Sequence, residues 1–459
     1  MAARTDTHSP VVAHRGTVLH FNADPGESVA AGAHELIEDG VLVVANGFID
    51  AVGPAASLLA SLPADVPVIE HAGSILMPGF VDTHIHYCQT DVIASGGRQL
   101  LDWLEDYTFP AERRFADEAH AAEVAEFFLD ELLRNGTTTA MVFCTVHEQS
   151  ASSFFEAAER RGVRMIAGKL LMDRNCPPDL RDTAADGERA SRDLIERWHG
   201  RARLHYAITP RFAPTSSDAQ LESAGRLARE FPDVFIQSHL AENLDEIEWV
   251  RKLFPTSRSY LDVYDRVGLL RDRAIYAHCI HLDSADRTRM AQSHAAASFC
   301  PTSNLYLGSG LFDIAATDAA GMRFGLGTDV GGGTSFSMLR TLAEAYKVAQ
   351  MRGQRLTALR ALYLATLGGA RALQLQDRIG RFAPGTEADF VVLDLRATAL
   401  LARRTSLART LEEKLLVLIT LADERAVART YVMGREAHGG LVPNRAQSLH
   451  RSHAVPGTT

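Results

Sequence analysis

Two histidines, His84 and His86, close the apolar run Ser74-Ile75-Leu76-Met77-Pro78-Gly79-Phe80-Val81-Asp82-Thr83. Side chains alternate across a strand, so both imidazoles project from one face at its end. Imidazole nitrogen is a preferred donor for zinc and similar divalent ions. Two buried neighbouring imidazoles with no metal would leave ring nitrogens in need of partners. Further candidate ligands end later apolar runs: His239 and Glu242 in Gln237-Ser238-His239-Leu240-Ala241-Glu242, His278 and His281 in Tyr276-Ala277-His278-Cys279-Ile280-His281, and Asp329 after Gly325-Leu326-Gly327-Thr328.

A catalytic zinc keeps about three protein ligands and one open position for water. His84, His86 and His239 supply three nitrogens, and Asp329 can bind the metal, hold the water, or do both. Bound water has its pKa lowered toward neutrality, and Asp329 can accept its proton and pass it on. Glu242, three residues past His239, sits near the metal without having to bind it, and can protonate a substrate ring nitrogen. His278 and His281 have an odd separation, so only one points inward. His278, nearer the strand, is the one expected to reach the metal-bound water, and His281 is expected to be structural or solvated.

The elements that must hold these groups repeat. After residue 74 eight short β-like runs follow one another, at 75–86, 137–146, 164–173, 202–210, 235–241, 274–280, 296–300 and 323–329. Helical segments are expected between most of them: 112–134, 151–161, 187–198, 217–230, 243–252, 283–293 and 335–351. This alternation predicts parallel βαβ units closing into a (β/α)8 barrel of the α/β class, whose functional residues sit at the strands' C-terminal ends. Both chain ends read differently. Strands are expected over 11–23 and 35–53, with Asp39-Gly40 and Asn46-Gly47 as hairpin signals, and again at 389–394 and 430–433. The expected organisation is a small β-sandwich domain built from both ends (1–73 and 381–440, the latter with room for helical barrel segments), a barrel over 74–380, and a polar tail over 441–459.

The 459-residue chain is 46% hydrophobic, enough for a large core, and its formal charge of −10 argues against nucleic acid and anionic membranes. No apolar run of about 18 residues marks a membrane span, and the N-terminus leads into no signal-like core. Five scattered cysteines fit reduced thiols in a cytoplasmic protein rather than a disulfide framework. Gly331-Gly332-Gly333 is followed by no Gly-Lys-Ser/Thr, so it reads as close backbone approach or a flexible loop beside the site, not a phosphate cradle.

Pro78 through His86, His239-x-x-Glu242, His278 and Asp329 resemble, in order and spacing, the metal motifs of the amidohydrolase superfamily. Longer strings resemble its guanine deaminases: Thr83-His84-Ile85-His86-Tyr87-x-Gln89, Tyr107-Thr108-Phe109-Pro110-Ala111-Glu112, Thr209-Pro210-Arg211-Phe212-Ala213-Pro214-Thr215, Cys300-Pro301-Thr302-Ser303-Asn304-Leu305 and Gly327-Thr328-Asp329-Val330-Gly331-Gly332-Gly333-Thr334. The resemblance runs from about residue 11 to 440. Cys88 departs from it, standing where the family usually has proline.

The resemblance implies one zinc per subunit on His84, His86, His239 and Asp329, with iron or manganese also compatible with such ligands. It implies a homodimer acting on guanine, with Gln89, Arg211 and Phe212 at the base-binding positions alongside His239, Glu242 and Asp329. The chemistry suits the residues: Phe212 offers an aromatic face, Arg211 a donor to a carbonyl oxygen, and Gln89 a donor and an acceptor to the ring edge. Trp103 would either stack on the base or serve as a buried structural residue. Other readings keep the same metal set with another purine, a pterin or a triazine as substrate, or make the barrel a non-catalytic scaffold.

Overall fold

The computed structural model describes residues 11–96 and 99–439. The polar ends expected at 1–10 and 441–459 lie outside these described residues. Eight strands run parallel in the order expected from the sequence: Phe80–His86, Thr137–Phe143, Arg164–Gly168, Leu204–Pro210, Phe235–Leu240, Ala274–His278, Ala296–Phe299 and Arg323–Leu326. A two-residue strand, Leu170–Leu171, adds to the fourth. The floor of the barrel is apolar, with Val81, Met141, Ile166, Ala207, Phe235, Ile275 and Ala296 contributed by its first seven strands. Asp82 fastens the seam between the first and eighth strands, its Oδ1 accepting from the backbone N–H groups of His84 and Thr328, each at 3.1 Å. Asp329 N–H donates across the same seam to the His84 carbonyl at 3.0 Å.

The apolar run expected as one strand over 75–86 divides at Pro78-Gly79. Val68–Pro78 belongs to a second sheet, pairing antiparallel with Phe390–Asp394, and the barrel begins at Phe80. Proline brings no N–H to a ladder, and a Cβ on Gly79 would stand 2.1 Å from Thr138 Oγ1, so the chain crosses between sheets where only glycine fits. The small-sheet strand therefore runs past the boundary expected at 73/74.

The two chain ends build one continuous seven-stranded sheet, in which Val427–Val432 and Arg435–Gly439 follow Phe390–Asp394 on one side and Val12–Phe21, His34–Ala45 and Phe48–Pro54 lie on the other. Asn46-Gly47 forms the expected hairpin turn, with φ of 55° and 85°. Asp39-Gly40 does not. It lies inside His34–Ala45 beside a register shift, with Asp39 held by Arg15 at 2.7 and 2.9 Å. The helix expected over 112–134 begins instead at Glu118, because Asp117 in extended conformation caps it by accepting from Ala119 N–H. Residues 109–113 form a separate short helix after a π turn at Leu104–Thr108.

A buried cluster of charges ties the two sheets together. Arg164 Nε and Arg203 Nη2, from the barrel, donate to Glu387 Oε2 at 2.8 and 2.6 Å, and Arg203 also bonds Asp389. The helices Ala399–Ser406 and Leu411–Leu421, which interrupt the C-terminal strands, bury Leu401, Leu415 and Leu418 in the core that covers the barrel.

Candidate active site

The first barrel strand changes phase just before its histidines. Val81 lies in the barrel floor, whereas Ile85, of the same parity, lies in the outer core. Its register with the second strand shifts between Asp82 and Ile85, a bulge that re-aims the side chains beyond it. His84 and His86 then both point inward. Their Nε2 atoms are 3.2 Å apart, and His86 Nε2 is also 3.2 Å from His239 Nε2. Asp329 Oδ1 closes the group at 3.1 Å from His84 Nε2 and 3.4 Å from His86 Nε2.

His84, His86 and His239 bring three nitrogens together and Asp329 a carboxylate beside them, a donor set whose chemistry fits a divalent metal. His239 Nδ1 donates to the Arg211 carbonyl at 2.7 Å, which fixes the tautomer that leaves Nε2 with a lone pair. Burial pushes the His86 imidazole down to about 4 and the His239 imidazole well below its ordinary range, so both are in the neutral form that ligates. Burial works to raise the Asp329 carboxyl, but His84 and His86 outweigh it and hold it well below the usual carboxylate range.

Glu242 and His278 stand on the other side of this group. Glu242 Oε2 lies 3.3 Å from His278 Nε2, and Asp329 Oδ2 lies 3.9 Å from the same nitrogen. Burial, with the Asp329 charge adding to it and a Ser309 hydrogen bond opposing it, pushes the Glu242 carboxyl up to about 8. A carboxyl held neutral near pH 7 is suited to donate a proton. Three strand-end residues here, Ala241, His278 and Asp329, have φ of 51°, 69° and 52°. Non-glycine residues in this left-handed region cluster at functional sites, at a cost of about 1–3 kcal/mol each.

Next to these groups is a pocket with Leu100, Trp103, Leu104, Phe212 and Leu307 as apolar walls and Gln89 and Arg211 as polar ones. Trp103 is buried and lines the pocket, and its indole N–H donates to the Ser95 carbonyl at 2.7 Å. Gly331 and Gly332 show close backbone approach: a Cβ on Gly331 would stand 2.2 Å from Gln89 Oε1, and Gly332 lines the pocket. Cys88 leaves the Gln89 loop intact, as a 3-10 turn over Tyr87–Val92, and points its thiol into the core toward the Phe143 and Cys144 carbonyls.

His281 is structural, donating from Nε2 to the Ser309 carbonyl at 2.9 Å. Supporting residues that the spacing did not mark surround the site. Asn304 Oδ1 accepts from His278 Nδ1 at 2.9 Å, and Ser309 Oγ donates to Glu242 Oε1 at 2.9 Å. Glu246 Oε2 accepts from the Glu242 and Asn243 backbone N–H groups at 3.0 and 3.1 Å, and Glu112 bonds both Gln89 and Arg211. Glu246 left a local signal, as the partner of Asn243 in a capping box, and Glu112 and Asn304 stand in the strings that resemble guanine deaminases.

Residues 75–437 match the amidohydrolase family. Over 405 residues the chain is 50% identical to a guanine deaminase of Escherichia coli, covering 88% of this chain and 92% of that one. A solved E. coli guanine deaminase superposes with a TM-score of 0.92 at 48% identity, over 93% of this chain and 99% of the other. A guanine deaminase of C. acetobutylicum, solved with guanine bound in its active site, superposes with a TM-score of 0.83 at 28% identity, over 93% of this chain and 99% of the other. A metal-ligand constellation at the strand ends of a barrel, matched along nearly its whole length, places this chain in the amidohydrolase family, among its guanine deaminases.

Proposed function

We propose that this protein hydrolyses guanine to xanthine and ammonia at one zinc ion per subunit, held by His84, His86, His239 and Asp329. The observation that carries the reading is the meeting of three imidazole Nε2 atoms and the Asp329 carboxylate beside a pocket that presents Gln89 and Arg211 between apolar walls. The relatives' activity and the guanine-bound neighbour support the same substrate.

When bound, the metal supplies a Lewis acid and makes water a competent nucleophile at neutral pH. Asp329 takes the proton of the attacking water and delivers it to the departing amino group at C2. Glu242, which burial keeps protonated, gives its proton to the adjacent ring nitrogen as attack proceeds and is reprotonated by the C2 hydroxyl proton released as the xanthine carbonyl forms. His278 lies within reach of both carboxyl groups and orients the water. Arg211 donates to the substrate carbonyl oxygen, Gln89 meets the ring edge and Phe212 covers a face. Leu100, Leu104 and Leu307 keep bulk water from the ring.

The homodimer and the cytoplasmic location expected from the sequence belong to this reading, and light scattering on the purified protein checks the first. Among the described residues no helix is long and apolar enough to cross a membrane. A panel of guanine, adenine, a pterin and a triazine, with ammonia release as the readout, tests the substrate. Guanine turns over fastest by orders of magnitude, and activity on adenine or the triazine with guanine inert overturns the assignment.

A further inference from the structure

Glu112 is completely buried, and each of its oxygens holds a different pocket side chain. Oε1 accepts from Gln89 Nε2 at 3.2 Å, and Oε2 accepts from Arg211 Nη1 at 2.7 Å. The Phe109 ring steadies the same guanidinium, whose carbon lies 5.3 Å from the ring centroid. Gln89 Nε2 also stands 3.2 Å from His86 Nδ1, but that nitrogen carries the ring hydrogen when His86 Nε2 ligates a metal, so of the two neighbours only Glu112 can accept from the amide.

A carboxylate paired with a guanidinium offers only acceptors, whereas a carboxamide has a donor end and an acceptor end. Turning the Gln89 amide over would set its oxygen against Glu112 Oε1 inside a buried site, exchanging a charge-assisted hydrogen bond for repulsion between two acceptors. The Gln89 oxygen therefore stays on the side of Gly331, where a Cβ would come within 2.2 Å of it.

We propose that Glu112 is a positioning residue that determines specificity: by holding the Gln89 amide nitrogen and the Arg211 guanidinium together, it makes the pocket present an acceptor beside a cationic donor. This rests on the guanine reading given above. The matching ring edge is a carbonyl next to a ring N–H, as in guanine. An amino group next to a bare ring nitrogen reverses both signs. 2,6-Diaminopurine has that reversed edge and keeps the 2-amino group that hydrolysis removes. Rejection by unpaired buried polar groups discriminates far better than rejection by shape.

The test uses the full-length, metal-loaded enzyme and its Glu112→Gln and Glu112→Asp variants. For each, kcat and KM are measured with guanine and with 2,6-diaminopurine, alongside circular dichroism and thermal unfolding. Glutamine at 112 offers a donor as well as an acceptor and frees Gln89 to turn over. Glu112→Gln raises the guanine KM more than it lowers kcat, and cuts the guanine preference in kcat/KM by about tenfold or more. Glu112→Asp, a carboxylate drawn back by one methylene, falls between, at about threefold, and decides the question alone if Glu112→Gln does not fold. A preference unchanged in every folded variant, with both substrates falling in parallel as stability falls, overturns the proposal. A wild-type enzyme inert toward guanine is a different failure, because it removes the functional reading on which this one stands.

Discussion

Asp329 is where the chemistry of this site is most concentrated, because one oxygen faces His84 and His86 while the other faces His278. Its backbone is left-handed, a conformation that asparagine tolerates nearly as well as aspartate. Asp329→Asn therefore keeps the fold and loses the proton transfer. Turnover falls on the order of 10²–10⁴-fold while circular dichroism and the melting curve stay close to wild type. Near-normal turnover in that variant removes Asp329 from the role given to it. Glu242→Gln, which still accepts from Ser309 but has no proton to give, loses turnover on the same order. A pre-steady-state trace in which chemistry stays as fast as in wild type contradicts its role as the acid. The histidines were legible in the sequence because strand alternation puts i and i+2 on one face. The supporting roles of Glu112, Asn304 and Ser309 were not, although the first two stand in strings shared with the family. These residues act through hydrogen bonds that close between segments far apart in the chain, such as Glu112 to Arg211, and no local pattern records such a pairing.

At the scale of elements, the eight barrel strands follow the short apolar runs closely because both of their faces are buried, and most helices between them follow the pattern because each buries one face. The departures have local causes. Glycine lets the chain cross between sheets at Gly79, Asp117 starts a helix six residues later than the pattern suggested, and Asp39-Gly40 stays in a strand because Arg15 holds the aspartate. The bulge between Asp82 and Ile85 was also invisible, because it depends on register with the neighbouring strand. Gly331 tests the loop that follows the eighth strand. It has φ of 119°, and its absent Cβ leaves room for Gln89. Gly331→Ala both strains the backbone, at about 1–3 kcal/mol, and pushes on the Gln89 amide. The guanine KM rises at least as steeply as kcat falls, and a variant with wild-type KM shows that the loop does not set the pocket.

Across the whole molecule, the chain ends were recognisable as β-rich, but their assembly into one seven-stranded sheet depends on partners several hundred residues apart. The Arg164, Arg203, Glu387 and Asp389 cluster fixes that sheet against the barrel. Removing one member of a buried charge cluster strands its partners, at a cost of about 3–5 kcal/mol. Glu387→Ala lowers the midpoint of urea unfolding accordingly while the guanine KM of the folded fraction stays unchanged. A midpoint equal to wild type shows that the cluster is not a fastening. The central claim, a guanine-hydrolysing centre built on His84, His86, His239 and Asp329, is tested most directly by following purified protein with guanine for xanthine and ammonia, before chelation, after it, and after zinc is restored. Equal amounts of the two products, lost on chelation and regained with zinc, are the predicted result. Undiminished xanthine formation by fully metal-free protein, or none by zinc-loaded protein, would contradict it.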